Sequence, residues 1–182
     1  SPFWWGWFLH LGCTFIPVLF FHFVLVLTRR IGSKLRQVLL AFYGITVAFK
    51  LQNLWATNFT HGTAYRDAYA YPQPAFLYPV YFILFIALVV WGTALLIQHR
   101  SSWPSHSRGA LKLLLTTHIL AYLGGMDNFL IMVDIRLPPL YPYGLYLIPP
   151  YAVATMYALR RLQRAETPAE PIYQETAKGI PC

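Results

Sequence analysis

Lysine and arginine recur along this chain with a spacing that a water-soluble fold does not require. Eleven of the 14 fall in three short segments: Arg29, Arg30, Lys34 and Arg36, then Arg100, Arg108 and Lys112, then Arg160, Arg161, Arg164 and Lys178. Only Lys50, Arg66 and Arg136 lie elsewhere. Long, almost uncharged runs separate the clusters. A run of about 20 apolar residues, rising 1.5 Å each as a helix, crosses the roughly 30 Å hydrocarbon layer of a bilayer. Basic residues stay on the cytoplasmic side of such spans, because both the insertion machinery and the membrane potential resist carrying them across. The pattern predicts a chain woven through a membrane, with its orientation written in charge.

Composition points the same way. The 182 residues are 57% hydrophobic, 18% aromatic and 11% charged, against roughly 25% charged in an average soluble domain. The net charge of +8 comes from segments that flank apolar runs. Its expected counter-charge is therefore the anionic headgroup layer of membrane lipids. No basic groove or nucleic-acid-binding motif is present, which argues against a nucleic-acid partner. Cys13 lies inside an apolar run and Cys182 at the far end of the chain, so a disulfide between them is not expected.

Five windows have the length and apolarity of a spanning helix: about 4–27, 35–54, 75–98, 110–133 and 140–159. The second is interrupted by Gln37, Lys50, Gln52 and Asn53, mostly near its ends, where a lysine stem can snorkel to the interface. With five spans the basic clusters follow the first, third and fifth helices and share one side. A count of four or six would put large basic clusters on both faces. The expected fold class is all-α: a polytopic transmembrane bundle over residues 1–162, N-terminus outside and C-terminus cytoplasmic. Residues 163–182 form a polar tail with Pro168, Pro171 and Pro181.

The long outer connection, 55–74, is rich in tyrosine, including Tyr65 and Tyr69. These rings suit an interfacial aromatic belt, and the same residues would serve a ligand-contacting lid. Pro17 in the first window and Pro149 with Pro150 in the fifth each remove a backbone donor and are expected to act as kinks or hinges. Gly44, Ala48, Gly124 and Gly125 are small residues that permit close helix approach.

The stretch from Tyr122 to Gln163 carries Gly124-Gly125, Asn128-Phe129-Leu130, Tyr141-Pro142-Tyr143-Gly144 and the exit Tyr157-Ala158-Leu159-Arg160-Arg161-Leu162. In this order and spacing it resembles the end of the seven-helix N-terminal sensor region of bacterial histidine kinases. The resemblance extends upstream to Asn58–Tyr81 and Trp7–Leu27, and so spans most of the chain. It implies a signal-input module of the bacterial inner membrane, in which Arg160 and Arg161 couple the last helix to a cytoplasmic output region. The family has seven helices and an output region. The present chain offers five windows, no glycine-rich ATP-binding segment and no phosphoacceptor helix, so it is expected to lack catalytic machinery of its own. The alternative is an accessory structural subunit of a respiratory or photosynthetic membrane complex. Partners under the two readings are a homodimer or other membrane subunits.

Among residues that can carry chemistry, Asp127 is the sharpest. A carboxyl inside an apolar window is costly, and such a group commonly faces a partner, a cavity or a pathway. Alternatively it sits near the outer interface, reached by water or paired with Arg136. Asn128 adjoins it, and Lys50 falls toward the same end of its helix, so a Lys50–Asp127 pair is a further option. His10, His22 and His118 also lie in apolar windows. His10 and His22 are twelve residues apart, roughly 18 Å along a helix and about 120° around it, so they cannot share a metal. His22 and His118 fall at similar depth and are weak candidates for ligating haem or a chlorophyll-type pigment. The default for both is a satisfied polar side chain, with no cofactor. No zincin pair, nucleophile elbow or phosphate loop appears, and an enzyme is not expected.

Overall fold

A computed structural model of the chain describes residues 2–55, 58, 60–66, 69–100, 103, 105–132, 134, 135 and 144–166. Five helices account for most of them: α1 (Pro2–Leu27), α2 (Ser33–Trp55), α3 (Tyr78–His99), α4 (Arg108–Met132) and α5 (Ile148–Glu166). Among the described residues, two stretches are long and apolar enough to cross a membrane, α3 and Arg108–Met126 of α4.

The fifth helix differs most from the window at 140–159. It begins at Ile148, directly after a 3-10 turn over Gly144–Leu147, and runs on to Glu166. Its second and third residues are Pro149 and Pro150. Proline is favoured in the first turn of a helix, where the missing N–H would have no intrahelical acceptor and the fixed φ is already helical. These two prolines therefore open α5, where the sequence suggested a kink partway along a helix.

The connection between α2 and α3 contains strands. β1 (Thr60–Arg66) pairs antiparallel with β2 (Tyr69–Pro74), with Tyr65 opposite Ala70 and Arg66 opposite Tyr69. The register shifts between His61 and Thr63, where Gly62 takes a φ of 56°. That is the left-handed conformation of a glycine-type bulge, which glycine adopts at little cost. The hairpin base is closed by the Leu77 N–H donating to the Asn58 carbonyl at 2.9 Å. The five helices bear out the expected helical class, to which the hairpin is an addition, and it packs on α1 and on α4.

Ring contacts fix the helix directions. Phe21 of α1 meets Trp91 of α3 at 4.7 Å between centroids, and the Tyr81 hydroxyl reaches the Cys13 carbonyl. Later residues of α1 thus meet later residues of α3, and the two run parallel. Phe42 and Tyr43 of α2 lie against Phe21 and His22, while Lys50 lies within electrostatic reach of Cys13, so α2 is antiparallel to α1. Phe129 of α4 packs on Phe85 at 4.8 Å and on Tyr78 at 6.3 Å, so α4 returns along α3. Tyr151 of α5 meets His118, and α5 also packs against the 3-10 turn Ser105–Ser107 that precedes α4. The helices alternate in direction. Residues 29–36, 100, 103, 105–112 and 160–164 gather at one end and the hairpin strands lie at the other.

Between the ends, Val18, Phe21, Val24 and Leu25 of α1, Leu88 and Leu96 of α3, and Leu111 and Leu114 of α4 fill the core. Gly92 lets α1 approach α3, since a Cβ there would stand 2.8 Å from a ring carbon of Phe20. α1 and α4 end alike. Arg29 takes a φ of 53° while the Arg30 N–H reaches the Leu25 carbonyl, and Asp134 takes a φ of 65° while the Ile135 N–H reaches that of Leu130. Both are Schellman closures built without glycine.

Candidate functional site

Pro17 is the local cause of the first feature. It is interior to α1 and has no N–H to give the carbonyl four residues earlier, that of Cys13. Tyr81 of α3 supplies the missing donor: its hydroxyl donates to the Cys13 carbonyl at 3.2 Å and approaches that of Thr14 at 3.5 Å. A neighbouring helix re-satisfying a proline-freed carbonyl is how such breaks are tolerated in apolar surroundings. α1 remains helical through Pro17, and a hydrogen-bonded joint to α3 stands at this position.

Polar side chains collect around this joint. Thr14, Thr46, Tyr78 and Tyr81 are buried, and Lys50 of α2 is only 5% exposed. Lys50 and Tyr78 both lie near the Cys13 thiol. Thr46 returns its hydroxyl hydrogen to the Phe42 carbonyl at 2.8 Å within its own helix. A cation, a thiol and two phenols thus share the interior where α1, α2 and α3 meet on the hairpin side, an arrangement apolar packing does not call for.

Asp127 and Asn128 lie in the last turns of α4, beside Phe129, whose ring packs on Tyr78, Phe82 and Phe85. The backbone therefore carries them toward the level of this polar cluster. Their side chains, those of Tyr65 and Tyr69, and Arg136 lie outside the described residues, as does the Lys50–Asp127 pairing.

His118 forms the second feature and is 2% exposed. One ring nitrogen, Nδ1, is 2.9 Å from the Leu114 carbonyl, and Nε2 is 3.1 Å from the Tyr151 hydroxyl. A carbonyl can only accept, so Nδ1 carries the proton and Nε2 accepts from Tyr151. Around the ring stand Phe20 at 4.9 Å, Phe23 stacked at 6.1 Å, Tyr122 at 6.3 Å and Tyr151 edge-on at 5.1 Å. His22 has a different partner, the Tyr43 hydroxyl at 3.0 Å from its Nδ1, which ties α1 to α2. Each histidine thus closes its own helix contact. The structure does not bring His22 and His118 onto one ligand, and both His118 nitrogens are engaged. Among the described residues no group of three or more histidine, cysteine, aspartate or glutamate side chains is placed to hold a metal.

At the opposite end Arg160 and Arg161 are exposed on α5, with the Arg161 guanidinium over the Tyr157 ring at 5.3 Å from its centroid. Ala158 and Leu162, on the other face, are buried.

Sequence reasoning overlooked Tyr81, Cys13, Thr14 and Tyr151. A proline inside an apolar helix does signal a freed carbonyl four residues upstream, which was enough to single out Cys13. No protein-family model, curated protein or solved structure matches this chain.

Proposed function

We propose that the chain is a multi-pass protein of the bacterial inner membrane, acting as a signal-input module similar to the sensor regions of histidine kinases. All five helices cross the bilayer in this reading, with the hairpin outside and the basic end in the cytoplasm. Support comes from the outward-facing side chains. Leu19, Val26, Leu40, Ile83, Val90 and Val153 are exposed, and in water each forgoes about half of the roughly 1.5–3 kcal/mol of full burial, which hydrocarbon surroundings restore. The fifth span runs from Gly144 to Leu159. Four 3-10 residues and twelve α-helical ones extend about 26 Å, close to the thickness needed.

The observation that carries the signalling reading is the His118–Tyr151 hydrogen bond. It fastens the helix that carries Arg160 and Arg161 to a histidine packed against Phe20 and Phe23 of α1. α1 in turn is joined to α3 beside Lys50. An amphipathic signal with an acidic group, entering on the hairpin side near Lys50 and Asp127, displaces α1 and α3, and the shift reaches α5 through His118.

A chimera carrying a kinase output domain after Arg164 tests this. Asp127→Asn and Tyr151→Phe are each expected to change basal or stimulated autophosphorylation several-fold. Output identical to the parent chimera in both variants would sink the reading.

One observation favours the alternative, an accessory subunit. α2 packs inward by one face, and its other face, with Leu40, Ala41, Gly44, Ile45, Ala48 and Leu51, is exposed. A neighbouring subunit would cover that stripe. Purification in mild detergent separates the two: migration with a large cofactor-bearing complex supports the subunit, and an isolated homodimer supports the sensor.

A further inference from the structure

Three elements converge at the basic end of the molecule. Arg30 follows α1 and lies within electrostatic reach of His99, the last residue of α3. The His99 ring meets Trp103 edge-on at 6.1 Å. Arg108, which opens α4, donates from Nε to the Trp103 carbonyl at 3.3 Å. Arg30, Arg100 and Arg108 are all exposed, whereas Trp103 is 7% exposed, and its indole N–H has no acceptor among the described residues. One helical turn away from Arg30 and Arg100 stand the exposed apolar side chains Val26 and Ile97.

We propose that the Arg30–His99–Trp103–Arg108 cluster is a binding site for an anionic phospholipid, its phosphate against the arginines and its acyl chains along Val26 and Ile97. The pairing of cations with an apolar wall one turn away is what selects this ligand. Inorganic phosphate satisfies the arginines and leaves the wall uncovered, and a zwitterionic lipid covers the wall but brings an ammonium group toward the arginines. Anionic headgroups gain on the order of 1 kcal/mol per basic residue near the surface, about fivefold in affinity each. The inference rests on the membrane reading above and is independent of the signalling one. Failure of lipid selectivity leaves the chimera experiment untouched, and failure of the chimera leaves the lipid site standing.

Native mass spectrometry of the full chain in detergent tests it, with phosphatidylglycerol, phosphatidylcholine of the same acyl chains and inorganic phosphate added in separate arms. Phosphatidylglycerol is expected to bind at least tenfold more tightly than phosphatidylcholine, and phosphate is expected not to displace it at equal concentration. The double variant Arg30→Gln/Arg108→Gln should weaken phosphatidylglycerol binding about 25-fold, while Arg66→Gln, in the hairpin at the other end, should leave it unchanged. Equal binding of the two lipids, displacement by phosphate alone, or undiminished binding by a double variant of native helix content would each overturn the proposal. Because the two-lipid comparison uses the unmodified protein, a double variant that fails to fold does not remove the test.

Discussion

At the scale of single residues, the interior is governed by a few polar groups that must find partners. His118 is held as one tautomer by a carbonyl that can only accept and a phenol that can donate. Replacing Tyr151 by phenylalanine removes the donor and leaves Nε2 buried without one. A hydrogen bond between helices in apolar surroundings is worth roughly 0.6–1.7 kcal/mol. Tyr151→Phe is therefore expected to destabilise the protein by about 1 kcal/mol, read as a lowered midpoint of thermal unfolding in detergent. No change in midpoint would mean that the bond contributes nothing. The sequence identified His118 as polar in an apolar window but could not supply Tyr151, because that partner is 33 residues away and is brought close only by the pairing of α4 with α5.

At the scale of elements, the joint between α1 and α3 depends on Pro17 and Tyr81 together. Tyr81→Phe leaves the Cys13 carbonyl unsatisfied, at a cost of about 1–3 kcal/mol. Pro17→Ala restores a backbone donor to the same carbonyl, so Tyr81→Phe should cost much less in that background. A double-mutant cycle is expected to give a coupling of about 1 kcal/mol, and strictly additive effects would refute the joint. Helices were the most legible part of this fold, since charge and turn residues bound each apolar run. The window at 140–159 and α5 differ at their described starts, since an apolar run ignores the rule that prolines prefer a first turn. The hairpin was not legible either. Tyrosines and prolines over 65–74 suit a loop as well as a strand, and β1 and β2 are fixed by backbone pairing across a bulge at Gly62.

At the scale of the whole molecule, alternation of helix direction sets the described residues of the three basic clusters at one end. The membrane reading turns that into a test of sidedness. Alkaline phosphatase inserted between β1 and β2 should be active in the periplasm, and a green fluorescent protein fused after Arg164 should fluoresce in the cytoplasm. The reverse pattern would overturn the orientation. Charge spacing made this end of the molecule legible because electrostatic bias acts on loops whatever the packing is. The polar interior at the other end was only half legible. Lys50 and Asp127 stand out in sequence, whereas the neighbours of Lys50 are set by the parallel register of α1 and α3.

That register also bears on how the protein is made. If α1 enters the bilayer as proposed, its Cys13 carbonyl has no donor when it does so, and Tyr81, 68 residues later, has not yet been synthesised. The first helix must therefore wait, close to the insertion channel or with water drawn in beside Pro17, until the third arrives. Biogenesis then has a checkpoint at the insertion of α3, and a chain truncated before Tyr81 should be prone to removal by membrane quality control.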